Sequence, residues 1–245
     1  MRNHQAHQEQ LDLISTYVYE PEDPAREEQQ EPASAPATET AKTPLDRICD
    51  FAGLKKINPE IIGWIYVPGT QIDAPICKGS DDNFYLTHSF QKSSSVSGAI
   101  FVPKETSESL GDAHTIIYGH NMRSGQMFGE LSNYAERDFW EQYPYVYIYT
   151  PEQSVVCTIY AAYRTKYDSE VYTVGYQTGT ESYCQWVEQT LARPLYDSGV
   201  VPDGQEQIFT LSTCADSGSA LDRFVVQCVV TGRKSNCPVK ASVVE

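Results

Sequence analysis

Positive charge is scarce in this chain. Eighteen Lys and Arg stand against 33 Asp and Glu, a formal net charge of −15 over 245 residues. Phosphate recognition needs a basic patch, so the balance speaks against nucleic acid as a partner. It speaks equally against simple adhesion to anionic lipid. Closely spaced cysteines are also missing. The seven Cys, at 49, 77, 157, 184, 214, 228 and 237, include no CxxC or similar ligand pair. A zinc site is therefore not expected, and neither is any other metal or cofactor. An odd number leaves at least one thiol outside intramolecular pairing, and spacing alone assigns no disulfide. No apolar run is long enough to span a bilayer, and no signal-peptide core is present. The opening MRNHQAHQEQ does not resemble a secretory start, so membrane contact is expected only through an N-terminal anchor lying outside this stretch of sequence.

What the chain does have is aromatic and β-branched residues, with 17 Tyr and 8 Phe, a bias that favours strands. Organisation begins with a weak helical pattern at Leu11, Ile14 and Val18. Residues 19–43 are then rich in Pro, Glu, Gln, Ala and Thr, a composition that buries too little apolar surface to offset its ordering entropy. Residues 1–43 thus read as a flexible acidic tether or spacer, 44–235 as the folded domain and 236–245 as a tail. Thr43 as N-cap, Pro44 at the first helical position and Asp46 in the first turn predict a helix over 44–56. Leu45, Ile48, Cys49 and Ala52 would form its inner face. Strand-like runs follow at IIGWIYV, QIDAPIC, GAIFV, HTIIYGH, YVYIYT, SVVCTIYAAYRT, IFTLSTC and RFVVQCVVT. Helical stretches fall in 127–144, and Tyr183, Trp186, Val187, Thr190 and Leu191 mark an amphipathic helix over 181–193. Eight short strands with helices in the connections predict a mostly β barrel or sandwich.

Chemistry concentrates at strand ends. Cys214 closes IFTLSTC and Arg223 opens RFVVQCVVT, so adjacent strands would bring a soft nucleophile and a permanent cation to one end of a sheet. A nearby cation lowers a thiol's pKa from about 8.5 and enriches the thiolate, and the same Arg can stabilise an oxyanion. His120, in YGHN, also ends an apolar strand beside a glycine, and imidazole is the usual partner of a catalytic thiol. His114 and His88 lack that setting and receive no role, and His4 and His7 fall in the presumed tether.

IDAPIC, GAIFV, TIIYGHNM, MFGEL, TLSTCAD and RFVV together resemble, in order and spacing, the sortase family, most closely its class B, over residues 58–233. The resemblance implies an eight-stranded sortase-type β-barrel with an N-terminal helix and further helices in the connections. It also implies a cysteine transpeptidase at the extracellular face of a Gram-positive membrane. Such enzymes cut a C-terminal sorting motif, NPxTG- or LPxTG-like, between Thr and Gly or a related residue, hold the acyl fragment as a thioester and pass it to an amine. By motif, Cys214 is the nucleophile, His120 the general acid/base and Arg223 the oxyanion or substrate stabiliser. Ser212, Thr213, Asp216, Leu86 and Asp82 are the candidate substrate contacts, with packing, backbone capping or a solvated carboxylate as the other readings of the first three. The partners implied are sorting-motif-bearing surface proteins and a peptidoglycan-precursor or pilin amine. Two departures stand out: the nine-residue step from Cys214 to Arg223 is about one shorter than the class B pattern, and Asp82 stands where Asn is more familiar. A thiol hydrolase using water, or a non-catalytic surface module on a β scaffold, are the alternative functions. The TLSTC context does not match the SHGC-like setting of L,D-transpeptidases.

Overall fold

The computed structural model describes residues 2–20, 43–213 and 222–236. Among them, the strand-like runs become eight barrel strands: β1 Ile61–Tyr66, β2 Asp73–Lys78, β3 Ile100–Val102, β4 His114–Gly119, β5 Tyr145–Tyr149, β6 Gln153–Lys166, β7 Ile208–Thr213 and β8 Asp222–Ser235. They close in the order β8-β6-β5-β1-β2-β3-β4-β7 and back to β8. Only β2–β3 and β4–β7 pair in parallel. A parallel pair cannot be joined by a hairpin, and the crossover from β4 to β7 contains helix α3 (Arg137–Gln142), β5, β6 and helix α4 (Glu181–Leu191). That long excursion is why residues far apart in sequence meet at the β4–β7 seam.

β7 explains its own composition. Successive side chains point to opposite faces of a strand. Phe209 and Leu211 enter the barrel interior with Ile65, Ile117, Ile148 and Val226. Ile208 enters a second layer with Tyr183, Trp186 and Val187 of α4. Covered on both faces, the strand reads as a continuous apolar run with hydroxyls only where they find partners. Truncating a side chain such as Leu211 in so closed a core costs about 2–5 kcal/mol.

The N-terminal region departs from expectation. Residues 2–17 form a helix, α1 (Arg2–Tyr17), over the weak helical pattern at Leu11 and Ile14. Its inward residues are Gln10 and Leu13, whereas Leu11, read as apolar-face, is exposed. Gln10 decides the orientation, because its side-chain amide donates to Gln71 O and Asp73 O at 3.2 and 3.0 Å and clips the helix to β2. The single helix expected over 44–56 is also broken. Pro44–Asp46 makes one 3-10 turn, Ile48–Cys49 pairs with Val18–Tyr19 as a two-residue antiparallel ribbon, and α2 covers Phe51–Ile57. The cause is local competition at Asp50. Its N–H donates to Tyr17 O at 2.8 Å, and its carboxylate accepts the Gly53 N–H at 2.9 Å, starting a fresh helix. Consequently Ile48 is exposed rather than buried. α4 holds to its reading, with Tyr183, Trp186, Val187 and Thr190 buried.

Candidate active site

The site is built at the C-terminal end of β7, which lies between β4 and β8. The parallel register pairs Tyr118 with Ser212 and Gly119 with Thr213. The next residue after Gly119 is His120, and the next after Thr213 is Cys214. On the other flank Val225 pairs with Ser212, and the Phe224 N–H donates to Thr213 Oγ1 at 3.0 Å, which brings Arg223 to the same end. Cys214 and Asp216 themselves lie outside the described residues. The strands that carry His120 and Arg223 are thus the two neighbours of the strand that leads into Cys214.

His120 is held by its backbone and by its ring. Its carbonyl accepts the N–H groups of Met122 and Phe128 at 3.1 and 2.9 Å. Gly119 permits the packing of Phe128, since a Cβ at that position would stand 2.7 Å from the Phe128 ring. Ring Nε2 lies 2.7 Å from Leu86 O. A carbonyl oxygen only accepts, so Nε2 carries the proton, and in the neutral ring the basic lone pair is on Nδ1. Gly98 completes the seat, with φ of +60° and a would-be Cβ 2.5 Å from Tyr85 O and 3.0 Å from His120 Cδ2. The Nε2–Cδ2 edge therefore faces the Leu86–Gly98 wall, and the Nδ1–Cε1 edge is the opposite one.

Arg223 is half-buried, and its Nη1 donates to Asp222 O at 3.0 Å. Around it the β6 end is strongly charged: Lys166 pairs with Asp222, and Arg164 lies over the Phe224 ring at 5.7 Å. The other described thiols sit in different settings. Burial pushes Cys49 up to about 12 and also raises Cys77 and Cys228, which removes the thiolate a nucleophile needs. Cys157 is fully buried in the barrel interior. Among the described residues no group of three His, Cys, Asp or Glu is arranged to hold a metal ion.

The candidate substrate contacts divide. Leu86 reaches the site through its backbone, as the acceptor for His120. Asp82 sits on the same segment but turns its carboxylate to the Lys104 N–H at 2.8 Å. Ser212 and Thr213 are fully buried. Their hydroxyls serve Tyr172 at 2.9 Å and the Phe224 N–H respectively, so packing and capping describe their side chains better than an exposed groove does. The structure adds a residue the sequence reading passed over. Tyr172, in the 3-10 turn Glu170–Tyr172 of the β6–α4 connection, stacks on Tyr118 at 6.3 Å and bonds Ser212, roofing the seam just behind the catalytic end. Nothing periodic in SEVYTV marks it, because its partners lie on two other strands.

This arrangement is that of a sortase barrel. The family model of the sortase domain matches residues 65–231. Sortase B of Listeria monocytogenes is 34% identical over 167 residues, covering 67% of each chain. The crystal structure of Clostridium perfringens sortase B is similar at 31% identity and a TM-score of 0.68, covering 74% of this chain and 99% of that one. The Bacillus anthracis sortase B structure in complex with AAEK2 shares the fold over 96% of this chain and 99% of its own, with TM-score 0.74 and 23% identity. The chain belongs to the sortase family, in its class B branch. It is accordingly a cysteine transpeptidase.

Proposed function

We propose that the chain cleaves a C-terminal sorting motif, NPxTG- or LPxTG-like, through a thioester on Cys214 and transfers the acyl fragment to the amine of a peptidoglycan precursor or a pilin. The observation that carries this reading is the β4–β7 register. Gly119 pairs with Thr213, so the strand that His120 follows and the strand that leads into Cys214 end side by side. The Cys214 thiolate attacks the carbonyl carbon after the motif Thr side chain's own α-carbon, and a tetrahedral oxyanion forms. Arg223 supplies a donor whose charge is permanent. As the C–N bond breaks, cationic His120 gives the Nδ1 proton to the departing amine, while Nε2–H stays on Leu86 O. Nδ1 then takes a proton from the incoming amine, which attacks the thioester and releases the thiolate. The Leu86 carbonyl thus keeps proton traffic on one nitrogen.

Donor proteins of this kind belong to the surface of Gram-positive cells, and we place the catalytic domain at the extracellular face of the membrane. No helix among the described residues is long and apolar enough to cross a bilayer. A peptide-library cleavage screen read by mass spectrometry tests the reading and supplies the motif. Cleavage within a Thr-containing sorting motif, with product diverted from acid to amide when oligoglycine or a diaminopimelate peptide is added, is expected. Product that stays entirely acid in the presence of amine would make the chain a hydrolase instead.

A further inference from the structure

His114, the first residue of β4, has no part in that chemistry, yet both of its ring nitrogens are engaged. His114 is 1% exposed. Its Nδ1 lies 2.7 Å from Thr173 O, so Nδ1 carries the proton and donates. Its Nε2 lies 2.8 Å from Thr210 Oγ1, and with Nδ1 protonated it accepts from that hydroxyl. Thr210 Oγ1 in turn accepts from Gln227 Nε2 at 3.1 Å, and Gln227 Oε1 accepts from Tyr163 at 2.9 Å. One directed chain therefore runs from β6 through β8, β7 and β4 to the backbone of the β6–α4 connection. Every link has a single consistent donor assignment, and the ring also packs on Trp186 of α4 at 4.2 Å. Burial among these partners lowers the His114 pKa to about 4, in keeping with a neutral ring.

Thr173 directly follows Tyr172, the residue that roofs the β4–β7 seam. We propose that His114 is a positioning residue for the acyl-donor peptide: its Nδ1–H latches the connection at Thr173 and so holds Tyr172 against Tyr118 and Ser212. The idea rests on the proposed function for its substrate but on geometry for the latch. Trp186 Nε1–H to Glu170 O at 3.1 Å and the Arg193–Glu170 pair at 3.1 Å tie the same turn to α4 and the segment after it. His114 ties it to the barrel strands that bear the catalytic end.

The test exploits side-chain reach. In His114→Asn the amide nitrogen falls where Nδ1 was and can still donate to Thr173 O; in His114→Gln the amide sits one bond farther out, toward Thr210, although Gln is closer to His in volume. His114→Ala and His114→Gln should raise KM for a cleaved donor peptide about tenfold with kcat changed less than about threefold, the scale of one buried hydrogen bond expressed in binding. His114→Asn should stay near the wild-type KM. In a Tyr172→Ala background His114→Ala should add nothing further. Independently of activity, amide exchange at Tyr172 and Thr173, whose N–H groups close the 3-10 turn onto Ser169 and Glu170, should quicken in the Ala and Gln variants and not in Asn. Gln rescuing as well as Asn, additivity with Tyr172→Ala, or unchanged exchange in the Ala variant would each overturn the latch. Where His114→Ala does not fold, the Asn–Gln comparison decides. A wild-type chain that cleaves no sorting peptide would defeat the proposed function, and the exchange data would still judge the latch.

Discussion

β4 starts at one histidine, His114, and is followed directly by another, His120, and the two differ in nearly everything but residue type. His114 is enclosed beneath α4, with both ring nitrogens committed and its proton fixed on Nδ1. His120 is half-buried at the strand's exit, with its proton fixed on the other nitrogen, Nε2, by Leu86 O. The difference lies in their surroundings. It comes from what lies above. α4 and its connection cover the beginning of β4, whereas its end opens where β7 leads into Cys214. Burial makes one imidazole a structural donor, and the other stays partly exposed beside a carbonyl, where the proposed acid/base role needs it.

The comparison can be broken most severely at the catalytic end. His120→Ala and Cys214→Ala should each lower sorting-peptide turnover by about four orders of magnitude, with circular dichroism and thermal unfolding unchanged. An active Cys214→Ala protein would remove the nucleophile from the mechanism. Arg223→Ala should cost at least about two orders of magnitude in kcat, the scale of a lost oxyanion donor. A loss of only a few-fold would reduce it to a binding role.

Gly98→Ala probes the seat of His120. The new methyl needs a positive φ and meets Tyr85 O at 2.5 Å, so a stability loss of about 1–3 kcal/mol is expected. Turnover should fall with it, as the Leu86 wall shifts. Full stability would show that the segment yields freely.

His114 sharpens the contrast through pH. Its folded pKa of about 4 lies below the ordinary 6.5, so the unfolded chain takes up a proton that the folded chain refuses. Its neutral-ring contribution is intact above pH 6.5 and is lost as pH falls from there toward 4, by roughly 2–3 kcal/mol. Denaturant titrations at pH 7 and 4.5 measure this loss, and the pH slope over that window should flatten in His114→Asn. An identical slope in the variant would mean that other groups carry it.

Much of this molecule was legible before its fold was known. The eight strands could be read because β-branched and aromatic runs between turn residues express a local preference. The α4 face could be read because Tyr183, Trp186, Val187 and Thr190 recur at helical spacing. Cys214, His120 and Arg223 were picked out by residue type at strand ends and by a family resemblance. The errors share one origin. Leu11 looked like a helix's inner face until the Gln10 amide found two carbonyls on β2. Residues 44–56 looked like one helix until Asp50 was claimed by Tyr17 O and by Gly53. Ser212 and Thr213 stood open between substrate contact and packing or capping, and Tyr172 and the Phe224 N–H show where their hydroxyls go.

By itself the sequence determined where the eight strands and the α4 helix form and which side chains are the candidates for chemistry, because both depend on a few neighbouring residues. Tertiary structure alone decided that β4 lies parallel to β7, that His114 is enclosed in the core, and that Tyr172 roofs the seam. Those outcomes depend on partners far apart in the chain, as His114 and Thr210 are at 96 residues. Pairing at such distances is chosen by the closing of the whole barrel, and no local pattern encodes it.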